Sequence, residues 1–147
     1  QAGLSWITVL RKRESYRKAF AHFDYRKVAA FDDSKVEELM LNEGLIRNRL
    51  KLMSVLRNAR AFLEVRKEFG SFDAYVWSFV NNQQVQNRFD EGKQVPAITP
   101  VAAALSKDLK KRGFNFVGPT IMYAFMQATG MVNDHVKGCF RARQLGA

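Results

Sequence analysis

The sequence predicts an all-α protein whose helices form a bundle. Apolar residues recur along most of the chain at the spacing of an amphipathic helix. No stretch of useful length alternates apolar and polar residues as a half-buried strand would, and no internal repeat or low-complexity tract is visible. With 147 residues, of which 47% are hydrophobic, the chain predicts one domain over residues 1–147 with a sizeable core.

The first half of the chain predicts a series of short helices followed by a long one. The short helices are predicted at residues 1–13, 14–22 and 27–31, and a fourth ends at Gly44. The long helix is predicted over residues 45–69. Asp32 and Asp33 resemble N-caps of the segment that Gly44 ends, whereas residues 1–13 show helical spacing without a capping residue. Phe20 and Phe23 are expected to face the core.

The long helix has an apolar face and a basic face. The apolar face is predicted to contain Ile46, Leu50, Met53, Leu56 and Phe62. The basic face contains Arg47, Arg49, Lys51, Arg57, Arg60, Arg66 and Lys67. Such a face suits either a nucleic-acid backbone or solvent, and the solvated face is the preferred interpretation.

The second half predicts helices at residues 72–80, 101–112 and 120–129, and a last helix capped by Asn133. Ser71 is a suitable cap for the aromatic-rich helix that follows it, in which Trp77 is expected to lie in the core. Residues 81–100 lose the helical periodicity and contain Pro96 and Pro100. They predict a long exposed loop, which is expected to be the most mobile part of the chain.

A glycine turn at residues 113–118 joins two of these helices and is a candidate phosphate site. Pro119 suits the first position of the second helix, whose backbone N–H groups would point toward the turn. The apolar side chains expected to pin the two helices together are Phe114, Phe116 and Val117. The basic residues beside the turn are Lys110, Lys111 and Arg112. The alternative is an ordinary loop between helices with a solvated basic end.

The charge of the chain indicates a polyanionic partner. Twenty-four Lys and Arg residues against fourteen Asp and Glu residues give a net charge of +10. Nucleic acid is the leading candidate and an anionic membrane surface the second. The sequence shows no secretory signal, its longest weakly charged run reads poorly as a membrane span, and its single cysteine suits a reducing cytoplasm.

His135 and Cys139 are candidate zinc ligands. They stand four residues apart in the predicted last helix, which would place both side chains on one face. Structural zinc sites use four ligands, so this pair is half of a site. The other histidine, His22, is more simply explained as a packed, hydrogen-bonded side chain.

Few residues stand out as catalytic. There is no glycine-rich loop after a strand, no nucleophile with a paired base and no pair of carboxylates. Asp134 is a weak catalytic candidate, and the alternatives are a role in helix capping or in orienting a histidine. Trp6 could stack on a cationic base or pack in the core.

Several ordered motifs resemble those of the 3-methyladenine DNA glycosylase I family, which belongs to the helix-hairpin-helix DNA glycosylases. They are QAGLSWITVLRKRESYRKAF, GLIRNRLKLMSVLRNARAF, WSFV and LSKDLKKRGFNFVGPTIMYAFMQATGMVNDHVKGC. The resemblance covers nearly the whole chain. It implies a monofunctional enzyme that flips 3-methyladenine out of double-stranded DNA and hydrolyses its N-glycosidic bond, leaving an abasic site.

The resemblance also implies roles for individual residues. Trp6 would form the stacking wall of the base pocket with Gln1 nearby, and His135 and Cys139 would be half of a structural zinc site. The helix-hairpin-helix motif would grip the DNA backbone through Lys110, Lys111, Arg112, Gly113, Asn115, Gly118 and Thr120. A cytoplasmic monomer that acts on alkylated purines is expected, without a membrane partner.

The chain departs from the family pattern at its start. The family's N-terminal segment, with the remaining zinc ligands, pocket tyrosines and a base-reading glutamate, is expected before Gln1 and is absent from the sequence. Zinc binding is therefore expected only where those ligands are present. If this truncation is real, weak or absent excision and an exposed apolar face are expected. The alternatives are a non-catalytic helix-hairpin-helix DNA-binding module, an inactive truncated member, and a helical protein-interaction domain.

Overall fold

The computed structural model describes residues 5–90 and 92–145. These residues fall into two compact units, which are described one at a time. The first comprises Gln1–Glu68 and Arg112–Phe116, and the second comprises Phe69–Lys111 and Val117–Ala147. The single domain stays a prediction, because compact units within a chain can belong to one domain. Helices dominate the described residues, which confirms the all-α class.

The first unit is built from helices of increasing length. They are α1 (Trp6–Arg11), α2 (Arg13–Ala19), α3 (Tyr25–Ala29), α4 (Asp33–Leu41) and α5 (Arg49–Phe69), with a 3-10 turn at Ala21–Phe23. Phe20 is fully buried in its core with Val36 and Leu39 of α4 and Leu52 and Leu56 of α5.

Short polar side chains cap the starts of these helices. Asp32 caps α4 by accepting a hydrogen bond from the Lys35 backbone N–H at 3.0 Å, as predicted. The hydrogen bond from Ser34 holds the pKa of Asp32 below its usual value. Ser5 caps α1 through the Thr8 N–H at 3.3 Å, so the prediction of a helix without a capping residue is wrong.

Three side chains that were predicted to be packed are exposed in the structure: Phe23, His22 and Leu50. Phe23 is 54% exposed and lies in the 3-10 turn Ala21–Phe23, whose three residues all have positive φ angles. His22 lies in the same turn and is exposed as well. Leu50 is 70% exposed, because α5 begins at Arg49 and Leu52 takes the inward position in its first turn.

The second unit contains the remaining helices and a short pair of strands. Its elements are α6 (Phe72–Ser78), β1 (Val85–Gln86), a 3-10 turn at Gly92–Gln94, α7 (Pro100–Lys111), α8 (Pro119–Ala128), β2 (Val132–Asn133) and α9 (Phe140–Gln144). Ser71 caps α6 as predicted. Trp77 is only partly buried, whereas Tyr75 is buried in α6, because the helix directs positions 75 and 76 inward.

Residues 81–100 were predicted to form a long loop, but they contain a short strand that pairs with a distant part of the chain. Strands β1 and β2 run parallel, with Val85 opposite Val132 and Gln86 opposite Asn133. The Val85 N–H donates to the Met131 carbonyl at 2.9 Å, and these bonds join segments far apart in sequence.

Among the described residues, every helix is too short or too polar to span a membrane.

Candidate nucleic-acid interface

The glycine turn has backbone geometry that depends on Gly113. Its φ of +92° is in the left-handed region, where a side chain is strained even though the space beside it is open. Phe114 and Val117 are buried, as predicted. Phe116 has a φ of +57°, and its side chain is 49% exposed. Because half of the ring is in solvent, the predicted role of Phe116 in pinning the helices together is wrong.

Helix α8 begins with backbone donors that no side chain caps. Gly118 is its N-cap residue and makes no side-chain hydrogen bond, and Pro119 occupies the first turn as predicted. The N–H groups of this turn, including that of Thr120, therefore have no side-chain acceptor at the positive end of the helix dipole. This is the arrangement that binds phosphate groups at helix N-termini.

Helix α7 ends with exposed cations. Lys110 and Lys111 occupy its last turn, and both are exposed. Within the part of the chain that the structure describes, neither has an ion pair or a hydrogen bond from its side chain. Exposed lysines of this kind are the side chains that neutralise phosphate groups, and the contact of these two with DNA stays a prediction.

Arg112 differs from the two lysines because it is already paired. Its Nη1 lies 2.6 Å from Oε2 of Glu68 and its Nη2 donates to Oε1 of Glu68 at 3.2 Å. This bidentate ion pair lies within the first unit and fixes the guanidinium at the start of the turn. The predicted contact of Arg112 with DNA would therefore compete with Glu68.

Asn115 is held from α5 by Asn58. The Asn115 N–H donates to Asn58 Oδ1 at 2.8 Å, and Asn58 Nδ2 donates to the Asn115 carbonyl at 3.1 Å. The Asn115 side chain donates to the Gly113 carbonyl at 3.0 Å. Sequence reasoning missed Asn58 and Glu68; the available signal was an asparagine in a helix interior, where its side chain commonly bonds elsewhere.

The basic face of α5 is partly consumed by contacts within the first unit. Arg49 forms an ion pair with Glu37. Arg60 donates to the carbonyls of Ala29 at 3.0 Å and Phe31 at 2.6 Å, which lie at the end of α3. Arg66 donates to the Tyr25 hydroxyl. The preferred interpretation was a solvated face, and these contacts add that three of its arginines also bond within the first unit.

Asp134 is a hydrogen-bond acceptor for three side chains of the second unit. Its Oδ1 accepts from Asn87 at 2.7 Å, and its Oδ2 accepts from the Tyr123 hydroxyl at 2.6 Å and from Gln127 at 2.8 Å. Burial raises the pKa of Tyr123 far above its usual value, and the hydrogen bond to Asp134 and its negative charge raise it further.

These bonds favour a structural role for Asp134. A carboxylate has about four acceptor sites, and three of them are used here to hold neighbouring side chains. Neither of its predicted structural roles fits the geometry. No helix begins at Asp134, and its bonds join Asn87, the residue after β1, to α8 without involving the side chain of His135.

His135 and Cys139 are brought together, although by a turn. The predicted last helix does not begin at Asn133; instead β2 ends there and α9 begins after Cys139, because the Cys139 N–H bonds the Val136 carbonyl at 2.8 Å in a tight turn. Cys139 Sγ lies 3.6 Å from His135 Nδ1. Among the described residues, no group of three potential metal ligands occurs.

The distance between the two side chains fits a shared zinc ion. Zinc bonds of about 2.0 Å to nitrogen and about 2.3 Å to sulfur at a tetrahedral angle separate the ligands by about 3.5 Å. The observed 3.6 Å matches that separation without any movement of the pair. His135 and Cys139 are therefore close enough to share one ion, and the same distance also suits a hydrogen bond between them.

Trp6 lies on the surface of the first unit. Its side chain is 76% exposed on α1, which excludes core packing within the described residues and leaves the indole available for stacking. Gln1, the other residue expected near the base pocket, lies outside the described residues. An exposed tryptophan, an uncapped helix start and free lysines are features typical of a nucleic-acid-binding protein.

Comparison with known proteins identifies the family. The model of the family described as methyladenine glycosylase matches residues 1–142. The chain is 52% identical over 139 residues to DNA-3-methyladenine glycosylase 1 of Escherichia coli (strain K12), covering 95% of this chain and 74% of that protein. It is 50% identical over 139 residues to DNA-3-methyladenine glycosylase of Haemophilus influenzae, covering 95% of this chain and 75% of that protein.

A solved structure agrees with the sequence comparison. It is a variant of 3-methyladenine DNA glycosylase I in complex with 3-methyladenine, 34% identical, with a TM-score of 0.90 over 95% of this chain and 75% of that chain. The match of the family model to almost the entire chain decides the assignment. The chain belongs to the methyladenine glycosylase family, which confirms the resemblance drawn from the motifs.

Proposed function

We propose that this chain is a monofunctional DNA glycosylase that excises 3-methyladenine from alkylated DNA in base-excision repair. The observation that carries the proposal is the 52% identity over 139 residues to a protein named DNA-3-methyladenine glycosylase 1. The reaction is hydrolysis of the N-glycosidic bond, with water as the nucleophile, and it leaves an abasic site.

The chemistry of the substrate suits the residues of the chain. 3-Methyladenine in DNA carries a positive charge, so it leaves readily once it has been flipped out of the duplex and held. The enzyme then needs chiefly a stacking surface for a cationic ring, and the exposed indole of Trp6 supplies such a surface. This reaction does not need Asp134 as a base, which agrees with a structural role for the three hydrogen bonds that Asp134 accepts.

The glycine turn is proposed as the helix-hairpin-helix motif that holds the backbone of double-stranded DNA. In the second unit, the uncapped start of α8 at Gly118 and Thr120 suits a phosphate, and Lys110 and Lys111 supply positive charge at the end of α7. In the first unit, Gly113 and Asn115 give the turn its shape, while Arg112 is paired with Glu68.

His135 and Cys139 are proposed to be two ligands of a structural zinc site, which forms only where the remaining ligands of the family's site are present. When bound, zinc would stabilise the fold around the turn that holds the pair. The test compares the zinc content of three proteins purified with their natural flanking residues: the wild type, His135→Ala and Cys139→Ala. Equal zinc in all three proteins would contradict the proposal.

The partner and the compartment are part of the same proposal. We propose that the chain acts as a monomer in the cytoplasm and that its partner is alkylated double-stranded DNA. The high net charge of +10 supports a polyanionic partner.

The decisive experiment is release of free base from DNA treated with a methylating agent. The expected product is 3-methyladenine, with abasic sites left in the duplex at equal yield. Trp6→Ala is expected to lower the release rate at least about tenfold while leaving folding unchanged, since the side chain is exposed. Duplex binding without release of base would instead identify a non-catalytic DNA-binding module.

A further inference from the structure

The side chain of Asn58 forms two hydrogen bonds with the backbone of Asn115 in the glycine turn. It accepts from the Asn115 N–H at 2.8 Å and donates to the Asn115 carbonyl at 3.1 Å, so both polar groups of that peptide position are satisfied by one amide. Asn58 lies in α5, 57 positions away in sequence, and both residues belong to the first unit. The contact therefore joins the turn to the longest helix of that unit.

The turn has backbone features that such a contact would hold in place. Asn115 is flanked by Gly113 at φ +92° and by Phe116 at φ +57°. Phe116 is not glycine and its side chain is 49% exposed, so burial of its ring contributes little to keeping it in the left-handed region. Strained residues persist only where their surroundings over-determine the backbone. Asn58 fixes the peptide position directly before Phe116.

A second contact from α5 acts at the other side of the turn. Glu68 binds Arg112 in a bidentate ion pair of 2.6 and 3.2 Å, and Arg112 precedes Gly113. Asn58 and Glu68 are ten positions apart, which corresponds to about 15 Å along a helix. The ion pair is between side chains, whereas Asn58 bonds the backbone itself, so Asn58 is the residue that defines the turn.

We propose that Asn58 is a positioning residue for DNA binding, which sets the conformation of residues 112–116 without contacting the DNA itself. The inference rests on the proposed function, in which the glycine turn meets the DNA backbone. Phosphate contacts depend on the placement of backbone donors to within a fraction of a hydrogen-bond length. Loosening the turn should therefore weaken DNA binding while leaving the excision step intact once DNA is bound.

The chemistry of the amide makes the role specific to asparagine. Asn58→Leu keeps the approximate shape and removes both the donor and the acceptor. Asn58→Asp keeps the acceptor for the Asn115 N–H, but it loses the donor and places a carboxylate against the Asn115 carbonyl. Both variants should weaken DNA binding.

A matched control lies directly before the same helix. Asn48 precedes α5 and accepts from the Lys51 N–H at 3.1 Å, and it makes no hydrogen bond with the turn. Asn48→Ala removes this capping bond and should lower the stability of the first unit by an amount similar to Asn58→Leu. Any effect on DNA binding through stability alone would then appear equally in both variants.

The experiment measures three quantities on the full chain and its variants. They are the dissociation constant for an alkylated duplex, the single-turnover release rate at saturating DNA, and hydrogen exchange of the backbone amides at residues 112–116. For Asn58→Leu we expect about tenfold weaker binding, faster exchange at the Asn115 amide, and a release rate within about twofold of the wild-type value. Asn48→Ala should leave all three near the wild-type values.

Wild-type binding by Asn58→Leu, or an equal loss in Asn48→Ala, would overturn the inference. A release rate that falls at saturating DNA would also overturn it, because the defect would then lie in the excision step. Failure of the proposed function looks different: the wild-type chain itself would then release no base, although the effect of Asn58→Leu on duplex affinity and amide exchange would still decide the positioning role. Loss of duplex binding by the wild-type chain as well would overturn both.

Discussion

At the scale of single residues, the two glycines of the turn differ in what they require. Gly113 has a φ of +92°, whereas Gly118 has a φ of −59°, which any residue can adopt. Open space surrounds the position of an added Cβ at both. A methyl group would therefore meet no neighbouring residue at either position, and backbone strain acts at Gly113 alone.

Gly113→Ala should lower the free energy of unfolding by about 1–2 kcal/mol, because alanine is strained in the left-handed region. Gly118→Ala is the matched control and should change stability by less than about 1 kcal/mol. Urea unfolding of both variants measures the difference. Equal losses would show that the conformation of Gly113 is not what destabilises its variant.

Tyr123 is expected to make stability sensitive to alkaline pH. Burial and Asp134 raise the pKa of this phenol in the folded state above its ordinary value of 10.0. The folded protein therefore keeps the proton while the unfolded chain releases it. The stabilisation is fully present below pH 10 and is lost as the pH rises toward the folded pKa.

Denaturant unfolding between pH 8 and pH 11 should show this loss in the wild-type protein. Tyr123→Phe removes the titrating group, so its free energy of unfolding should fall less steeply over the same range, although it begins lower because a hydrogen bond is lost. Parallel pH profiles of the two proteins would show that Tyr123 contributes nothing to the alkaline loss.

Asp134→Asn separates a structural from a catalytic role. The amide offers one oxygen to three donors and turns its own donors toward Asn87 or Gln127, so stability should fall by about 1–3 kcal/mol. Well below the unfolding temperature, the release rate of 3-methyladenine should stay within about threefold of wild type. A loss of about a thousandfold in a folded variant would instead make Asp134 a catalytic group.

At the scale of elements, the end of α7 carries the charge that the proposed function uses. Lys110→Gln with Lys111→Gln should lower the slope of log affinity against log salt by about 2, since each phosphate contact contributes about 0.9. The exposed side chains make a stability change above about 0.5 kcal/mol unexpected. Binding to a duplex at several salt concentrations measures the slope.

The control removes two lysines elsewhere. Lys18→Gln with Lys27→Gln changes the net charge by the same amount on α2 and α3, where both side chains are exposed. If this pair lowers the slope as much as the pair on α7, the effect comes from net charge and not from the location of the lysines.

Elements also show where local reasoning succeeds and where it fails. The starts of α4 and α6 were predicted correctly, because Asp32 and Ser71 cap them through bonds that reach only three residues ahead. The last helix was placed wrongly, because the turn before Cys139 and the pairing of β2 with β1 compete with helix formation there. That pairing joins residues nearly fifty positions apart, which no local pattern reports.

At the scale of the whole molecule, function was more predictable than packing. The ordered motifs were sufficient to indicate the family, and the net charge of +10 pointed to a polyanion before any fold was known. The family match over residues 1–142 agrees with both. The contacts that shape the candidate site were not predictable in the same way, because they come from distant helices.

The sequence by itself determined the all-α class, most helix starts, the basic end of α7 and the pairing of His135 with Cys139 at close spacing. These features depend on neighbouring residues, whose interactions are set by helix and turn geometry. Only the tertiary structure decided that Asn58 holds Asn115, that Arg112 is paired with Glu68, and that Asp134 gathers three donors. Those bonds form only when folding brings remote side chains within about 3 Å of each other.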